Sequence, residues 1–255
     1  MNPPLVEEAQ RKAQEIEENV KKFFEQVNSV MSWVPSVLEH LVDPIIRGMQ
    51  VLNEKMQELW DRIKLLWEQP GDPDRLKQVG EQWVSQVGNA LGDVAETIGL
   101  DKLRTTIEWE GRAARAYQAT VPPQAAGLNS VKDIAGQLRS SLNSLANSIE
   151  MFWMAIGFAL LGAVVAIVSA VVAACTLVGI PAAITLIIGG VAATIGAIAA
   201  AIMALESHVN TIETEQSTIQ QKIHDLGSTW AMPNTADMAD ASVADGDGSD
   251  WRPDS

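Results

Sequence analysis

The chain has 255 residues, with 32 acidic and 18 basic side chains and a formal net charge of −14. That balance excludes a nucleic-acid binder, which carries basic patches, and simple electrostatic docking on anionic lipid. One cysteine, Cys175, excludes an intrachain disulfide. The opening Met1-Asn2-Pro3-Pro4 has neither a basic stretch nor an apolar core behind it, which predicts no secretory signal peptide.

Residues 4–31 read as an amphipathic helix. Leu5, Ala9, Ala13, Ile16, Val20, Phe23, Val27 and Val30 recur at steps of three and four. Val34-Pro35 and Asp43-Pro44 are expected to interrupt it. Helix resumes with Ile45, Met49, Leu52, Met56, Leu59, Ile63 and Leu66, whose alternating steps are those of a coiled-coil seam. Trp60 and Trp67 flank that seam and read as packing residues.

Gln69-Pro70-Gly71-Asp72-Pro73 ends this helix, with Asp72 suited to an N-cap and Pro73 to a first helical position. The next stripe is Leu76, Val79, Trp83, Val87, Leu91, Val94 and Ile98, with a bend expected at Gly99. Trp109-Glu110-Gly111 is a turn signal. A further helix opens at Arg112, and Val121-Pro122-Pro123 is expected to kink or break it. Leu128, Val131, Ala135, Leu138, Leu142, Leu145 and Ile149 then form another seam.

Met151–Leu205 is 55 residues without a single Asp, Glu, Lys, Arg or His, bounded by Glu150 and Glu206. A membrane-crossing helix takes about 20 apolar residues, so the stretch is long enough for two. Val178-Gly179-Ile180-Pro181 lies near its middle. Gly179 supplies conformational freedom for a reversal, and Pro181 removes a backbone donor. The arms, Met151–Leu177 and Ala182–Leu205, are rich in the small residues that let membrane helices approach closely. A buried central hairpin in a soluble bundle is the competing reading. Lys132, Arg139 and Lys222 lie beyond the outer ends, and the positive-inside bias would put both ends in the cytoplasm.

The exit stripe, Val209, Ile212, Gln216, Ile219, Ile223 and Leu226, mirrors the entry and stops at Gly227. Together these predict one long antiparallel hairpin from about Gln124 to Leu226. Beyond it the composition reads as a disordered acidic tail. Asp245, Asp247 and Asp250 do not make a calcium loop, because Asp250 stands where that loop needs Gly. His40, His208 and His224 have no ligand-spaced Cys or His beside them, and no phosphate loop or nucleophile elbow is present. The sequence therefore predicts no enzyme, no cofactor and no metal site.

Residues 71–146 resemble the Trp-x-Gly superfamily, the helical-hairpin substrates of type VII secretion. Gly71-Asp72-Pro73-Asp74-Arg75-Leu76 opens the first helix, Trp83 lies within it, and Trp109-Glu110-Gly111 makes the turn. Arg112-Ala113-Ala114-Arg115-Ala116-Tyr117 opens the second helix. The resemblance implies two antiparallel helices, pairing into a four-helix bundle and recognition by a translocation ATPase. It implies that Trp109 packs across the turn, that Gly111 permits it and that Tyr117 belongs to the same region. The family's Tyr-x-x-x-Asp/Glu export signal is not formed by Tyr117, which Val121 follows at that spacing. The chain also adds an N-terminal helical segment and the apolar hairpin.

The expected fold is all-α: an elongated helical bundle with a Trp-x-Gly hairpin and a long antiparallel hairpin carrying two membrane-spanning arms. Its segments are amphipathic helices at 1–70, the Trp-x-Gly-like hairpin and entry stalk at 71–150, the apolar hairpin at 151–205, an exit stalk at 206–227 and the tail at 228–255. Two functions fit. One is a type VII-associated membrane protein that pairs through its Trp-x-Gly region with a helical partner or a second copy. The other is a pore-forming effector, soluble at first, with the seams at 4–31 and 45–67 covering its apolar hairpin. Both partner a lipid bilayer, the first at the bacterial cell membrane and the second after leaderless secretion.

Overall fold

In the computed structural model, which describes residues 3–34, 42–99, 101–102 and 112–229, all regular structure is helical and no strand occurs among the described residues. The elements are α1 (Pro4–Met31), α2 (Val42–Glu68), α3 (Pro73–Gln82), a π-helical turn (Trp83–Gly88), α4 (Asn89–Thr97), α5 (Arg112–Ala173) and α6 (Gly179–Thr229). The fold class is thus all-α, as its periodic apolar stripes require.

Pro44 is placed differently from the sequence expectation, and Pro122 and Pro123 do not break their helix. Asp43-Pro44, expected in the interruption before helix resumes at Ile45, lies instead in the first turn of α2, where backbone N–H groups have no intrahelical acceptor to lose. Pro122 and Pro123 lie inside α5, and the helix runs through them. Both are exposed, so the carbonyls they leave without donors are near water, while Val121 beside them is buried. The Thr120 hydroxyl donates to the Tyr117 carbonyl at 2.8 Å in the same turn.

The chain forms two compact units, and they cut across the sequence segments. The first joins Met1–Asp74 with Ala146–Val209, and the second joins Arg75–Leu145 with Asn210–Ser255. The two N-terminal helices therefore belong with the apolar hairpin.

In the first unit α1 and α2 bury the stripes read from their sequences. Ala9, Ala13, Ile16, Phe23 and Val27 are buried on α1, and Ile45, Leu52, Met56, Leu59 and Ile63 on α2. All of these except Ala13 share one hydrophobic core with Trp153, Ile156, Leu160, Ile167, Ile180, Ile187 and Ile198 of the apolar arms. Each fully buried Leu, Ile or Phe contributes about 1.5–3 kcal/mol, so the stripes dominate the cohesion of the unit. Gly71, between α2 and α3, is the only described residue with positive φ, at 73°. A side chain there would also press on Ile149, whose Cδ1 lies 3.3 Å from the Cβ position.

In the second unit the line of contact between α3–α4 and α5 is made of small residues. A Cβ at Gly80 would lie 3.2 Å from Cα of Arg139, and one at Gly88 would lie 3.1 Å from Cβ of Ala135. A Cβ at Gly92 would meet Cδ of Lys132 at 2.8 Å. These pairs run in opposite chain directions, so the two helical segments are antiparallel. Arg139 Nε and Glu81 Oε1 form an ion pair at 2.9 Å beside them. Trp83, expected on the buried stripe, is 45% exposed. It stands at the start of the π-helical turn, which adds residues to one turn and rotates the glycines onto the contact line. The exit stripe is also shifted. Val209 and Ile223 are exposed, while Ile212, Glu215, Ile219 and Leu226 are half-buried. The Ser141 hydroxyl donates to the Glu215 carboxylate, and Lys222 Nζ donates to Gln137 Oε1 at 2.8 Å.

Candidate functional site: an apolar hairpin and its cover

The uncharged stretch forms two helical arms joined by five residues, 174–178, just before the reversal expected from sequence. Gly179 opens α6, and Pro181 lies in its first turn. Thr176 caps that helix, since its hydroxyl accepts from the Gly179 N–H at 3.1 Å and its carbonyl from the same group at 3.0 Å. Gly179 does not use a positive φ. Its role is space, because a Cβ there would collide with the Ala173 carbonyl oxygen.

Farther along, the arms approach through small residues. A Cβ at Gly190 would lie 2.6 Å from Cβ of Ala166. Thr194, almost fully buried, shares its one O–H between the Ala159 carbonyl across the hairpin, at 3.1 Å, and the Gly190 carbonyl of its own helix, at 2.9 Å. A buried hydroxyl must find such a partner, and here it bonds one arm to the other. At the arm's start the Trp153 indole N–H donates to the Pro70 carbonyl at 2.8 Å. A Cβ at Gly48 of α2 would touch Ile184 of the second arm at 3.0 Å.

The arms have two unlike faces. Phe152, Trp153, Ile156, Leu160, Ala163, Ile167 and Ala170 of α5 point into the shared core. Met151, Met154, Phe158, Leu161, Val165, Val168 and Val172 stand exposed on the other side, at alternating steps of three and four. Phe158 is 72% exposed and Val172 71%. On α6 the outward residues are small, with Ala182, Gly189, Ala192, Gly196 and Ala200 among them, and with Leu186 and Met203 as the large ones. Large exposed apolar patches on soluble proteins mark interaction or membrane surfaces.

The cover helices have the opposite character outside. Residues 4–68 carry twenty Asp, Glu, Lys and Arg side chains. Some pair along the helix surface: Lys12 with Glu15 at 3.1 Å, and Glu58 with Lys55 at 2.8 Å and Arg62 at 3.4 Å. The Lys55 hydrogen bond, with Arg62 nearby, holds the Glu58 carboxyl below the usual carboxylate range.

Both α5 and α6 contain stretches long and apolar enough to cross a membrane. Of the other sequence-predicted residues, Tyr117 is half-buried on α5, whereas Trp109 and Gly111 lie outside the described residues. His40, the three tail aspartates and the whole of 230–255 also lie outside them. Among the described residues no cluster of His, Cys, Asp or Glu is arranged to hold a metal ion. What periodicity alone missed is the exposed stripe on α5, because in a stretch without polar residues no sequence signal separates inner from outer faces. Comparison with models of protein families, with curated proteins and with solved structures gives no match to this chain.

Proposed function

We propose that this protein is a non-catalytic, membrane-inserting helical protein that is first held closed, with α1 and α2 as a displaceable cover over its apolar hairpin. The observation that carries the reading is the shared core of α1, α2 and the two arms. Closed packing and membrane crossing exclude each other. A charge at the centre of a bilayer costs about 2.5–3.5 kcal/mol on insertion scales, and α1 and α2 carry many. Taking the closed bundle into lipid would cost tens of kcal/mol on that scale. Lipid chains, however, cover the arms as well as α1 and α2 do. Insertion then requires α1 and α2 to leave, and amphipathic helices of this kind rest at a membrane interface. Met151 to Val172 spans about 32 Å as helix, close to the roughly 30 Å hydrocarbon core. Several inserted hairpins side by side would form a pore.

The test is addition of the purified soluble protein to dye-loaded phospholipid vesicles. Dye release, together with carbonate-resistant association, is expected. Protein that stays fully carbonate-extractable and releases no dye overturns the reading.

A second reading has its own support. The antiparallel packing of α3–α4 on α5 through Gly80, Gly88 and Gly92 suits the helical hairpin of a type VII secretion substrate. On it the second unit would pair with a helical partner or a second copy and be presented to a translocation ATPase. Trp109→Ala and Gly111→Val should then weaken partner co-purification or export while leaving vesicle association unchanged. Unaltered pairing and export in both variants would make the Trp-x-Gly resemblance incidental.

A further inference from the structure

We infer that the closed first unit docks flat on a neutral lipid surface through the outer faces of its two arms, before the cover leaves. This rests on the reading of residues 151–205 as membrane-seeking and adds the surface and the state in which contact begins. The exposed row from Met151 to Val172 is bulky and continuous. Its flanking outward positions are Ala155, Gly162 and Ser169. A seam meant for another helix carries charged flanks that set partner and register. Here both arms are without charge throughout, so the face offers no register and is wider than one helix. That is the geometry of a fluid occupant. The charged faces of α1 and α2 would remain in water, which makes the whole unit amphipathic, as single interfacial helices are. With a net charge of −14 and Glu150 and Glu206 at the arm ends, anionic headgroups are disfavoured. The surface recognised is therefore zwitterionic, and binding is driven by apolar contact.

A covalent lock separates docking from insertion. The Cβ position at Gly48 lies 3.8 Å from Cβ of Ile184, the usual Cβ spacing across a disulfide. In full-length protein with Cys175→Ala, the pair Gly48→Cys and Ile184→Cys would tie α2 to the second arm. The probe is flotation with phosphatidylcholine vesicles. The oxidised protein should float, at low and at molar salt alike, be released by carbonate and leave trapped dye inside. The reduced protein should resist carbonate. Phe158→Glu with Val165→Glu should lower the affinity of the oxidised form by about tenfold or more. Both side chains point outward, and unchanged helicity and melting of the variant are checked first. Val172→Glu repeats the test at a separate exposed position. Oxidised protein that stays in solution while the reduced form floats overturns docking and leaves insertion standing. If neither form floats, both readings fall. Equal flotation of the charged variants overturns the assignment of the face. Oxidised protein that is dimeric in light scattering, and monomeric after Phe158→Glu, would mean that a second copy covers the face instead.

Discussion

Trp153, at the start of the first apolar arm, donates its indole N–H to the carbonyl of Pro70, at the exit of α2. The ring is buried, so this bond ties the connection after the cover to the hairpin it covers. Trp153→Phe keeps an aromatic ring but removes the donor and leaves the Pro70 carbonyl without it. Pro70 is half-buried and water can reach it, so the loss should be about 0.5–1.5 kcal/mol, the net worth of one hydrogen bond. The variant should therefore unfold at lower urea with an unchanged slope. It should also release vesicle dye faster than the parent if cover loss limits insertion.

Leu59 on α2 tests the cover directly. It is fully buried in the core shared with the arms. Leu59→Ala should cost roughly 2–5 kcal/mol of stability, the range for truncating a buried leucine. Leu65 on the same helix is 67% exposed, so Leu65→Ala should change stability by less than about 0.5 kcal/mol. Chemical denaturation of the two variants side by side separates packing from helix propensity.

Gly179→Ala probes the reversal. The new methyl would collide with the backbone oxygen of Ala173, which has no flexible side chain to yield. A loss of about 1–3 kcal/mol is expected, as for other overpacked sites. Ala182→Ser, exposed a few residues on, is the control and should melt with the parent. Thermal melts of both report the outcome.

In the second unit Gly88 and Gly136 should respond with opposite sign. Gly88 faces Ala135 with no room to spare, whereas nothing lies within 4 Å of a Cβ at Gly136. Gly88→Leu should destabilise by about 1–3 kcal/mol. Gly136→Ala should stabilise by about 0.5–1 kcal/mol, through helix propensity alone. If Gly88→Leu melts with the parent, the close approach of α3–α4 to α5 is absent in solution.

Where polar and apolar residues alternate, the fold was legible in the sequence. The core positions of α1 and α2, from Ala9 to Ile63, follow from three-four spacing, and the break between α2 and α3 follows from Gly71 and Pro73. Where contact is made by glycine, it was not. Trp83 and Val94 look like core residues by size, yet Gly80, Gly88, Gly92 and Ala95 are the buried ones. A hydropathy pattern gives weight to large side chains and none to the absence of one. The π-helical turn compounds this, since a period of 3.6 cannot anticipate a turn of greater length. Of the kink or break expected at the two prolines of α5, the break does not occur, because the helix is continuous through them. They signal a lost hydrogen bond, and water at an exposed surface makes that loss tolerable. For the candidate site, the lack of charge marked the hairpin, and the seams at 4–31 and 45–67 marked what covers it. Which side of each arm faces outward depended on the packing.

The cover helices precede the apolar arms along the chain, and this order has a consequence for synthesis. Chains fold from the N-terminal side as they leave the ribosome. α1 and α2 are complete before Met151 is added, so each arm meets its covering surface as it emerges. A version with the same helices placed after the hairpin would expose 55 uncharged residues to the cytosol, or to the membrane-targeting machinery, until the cover arrived. Element order alone, with every contact kept, would then decide whether the newly made protein is released into solution or delivered to the membrane of the cell that makes it.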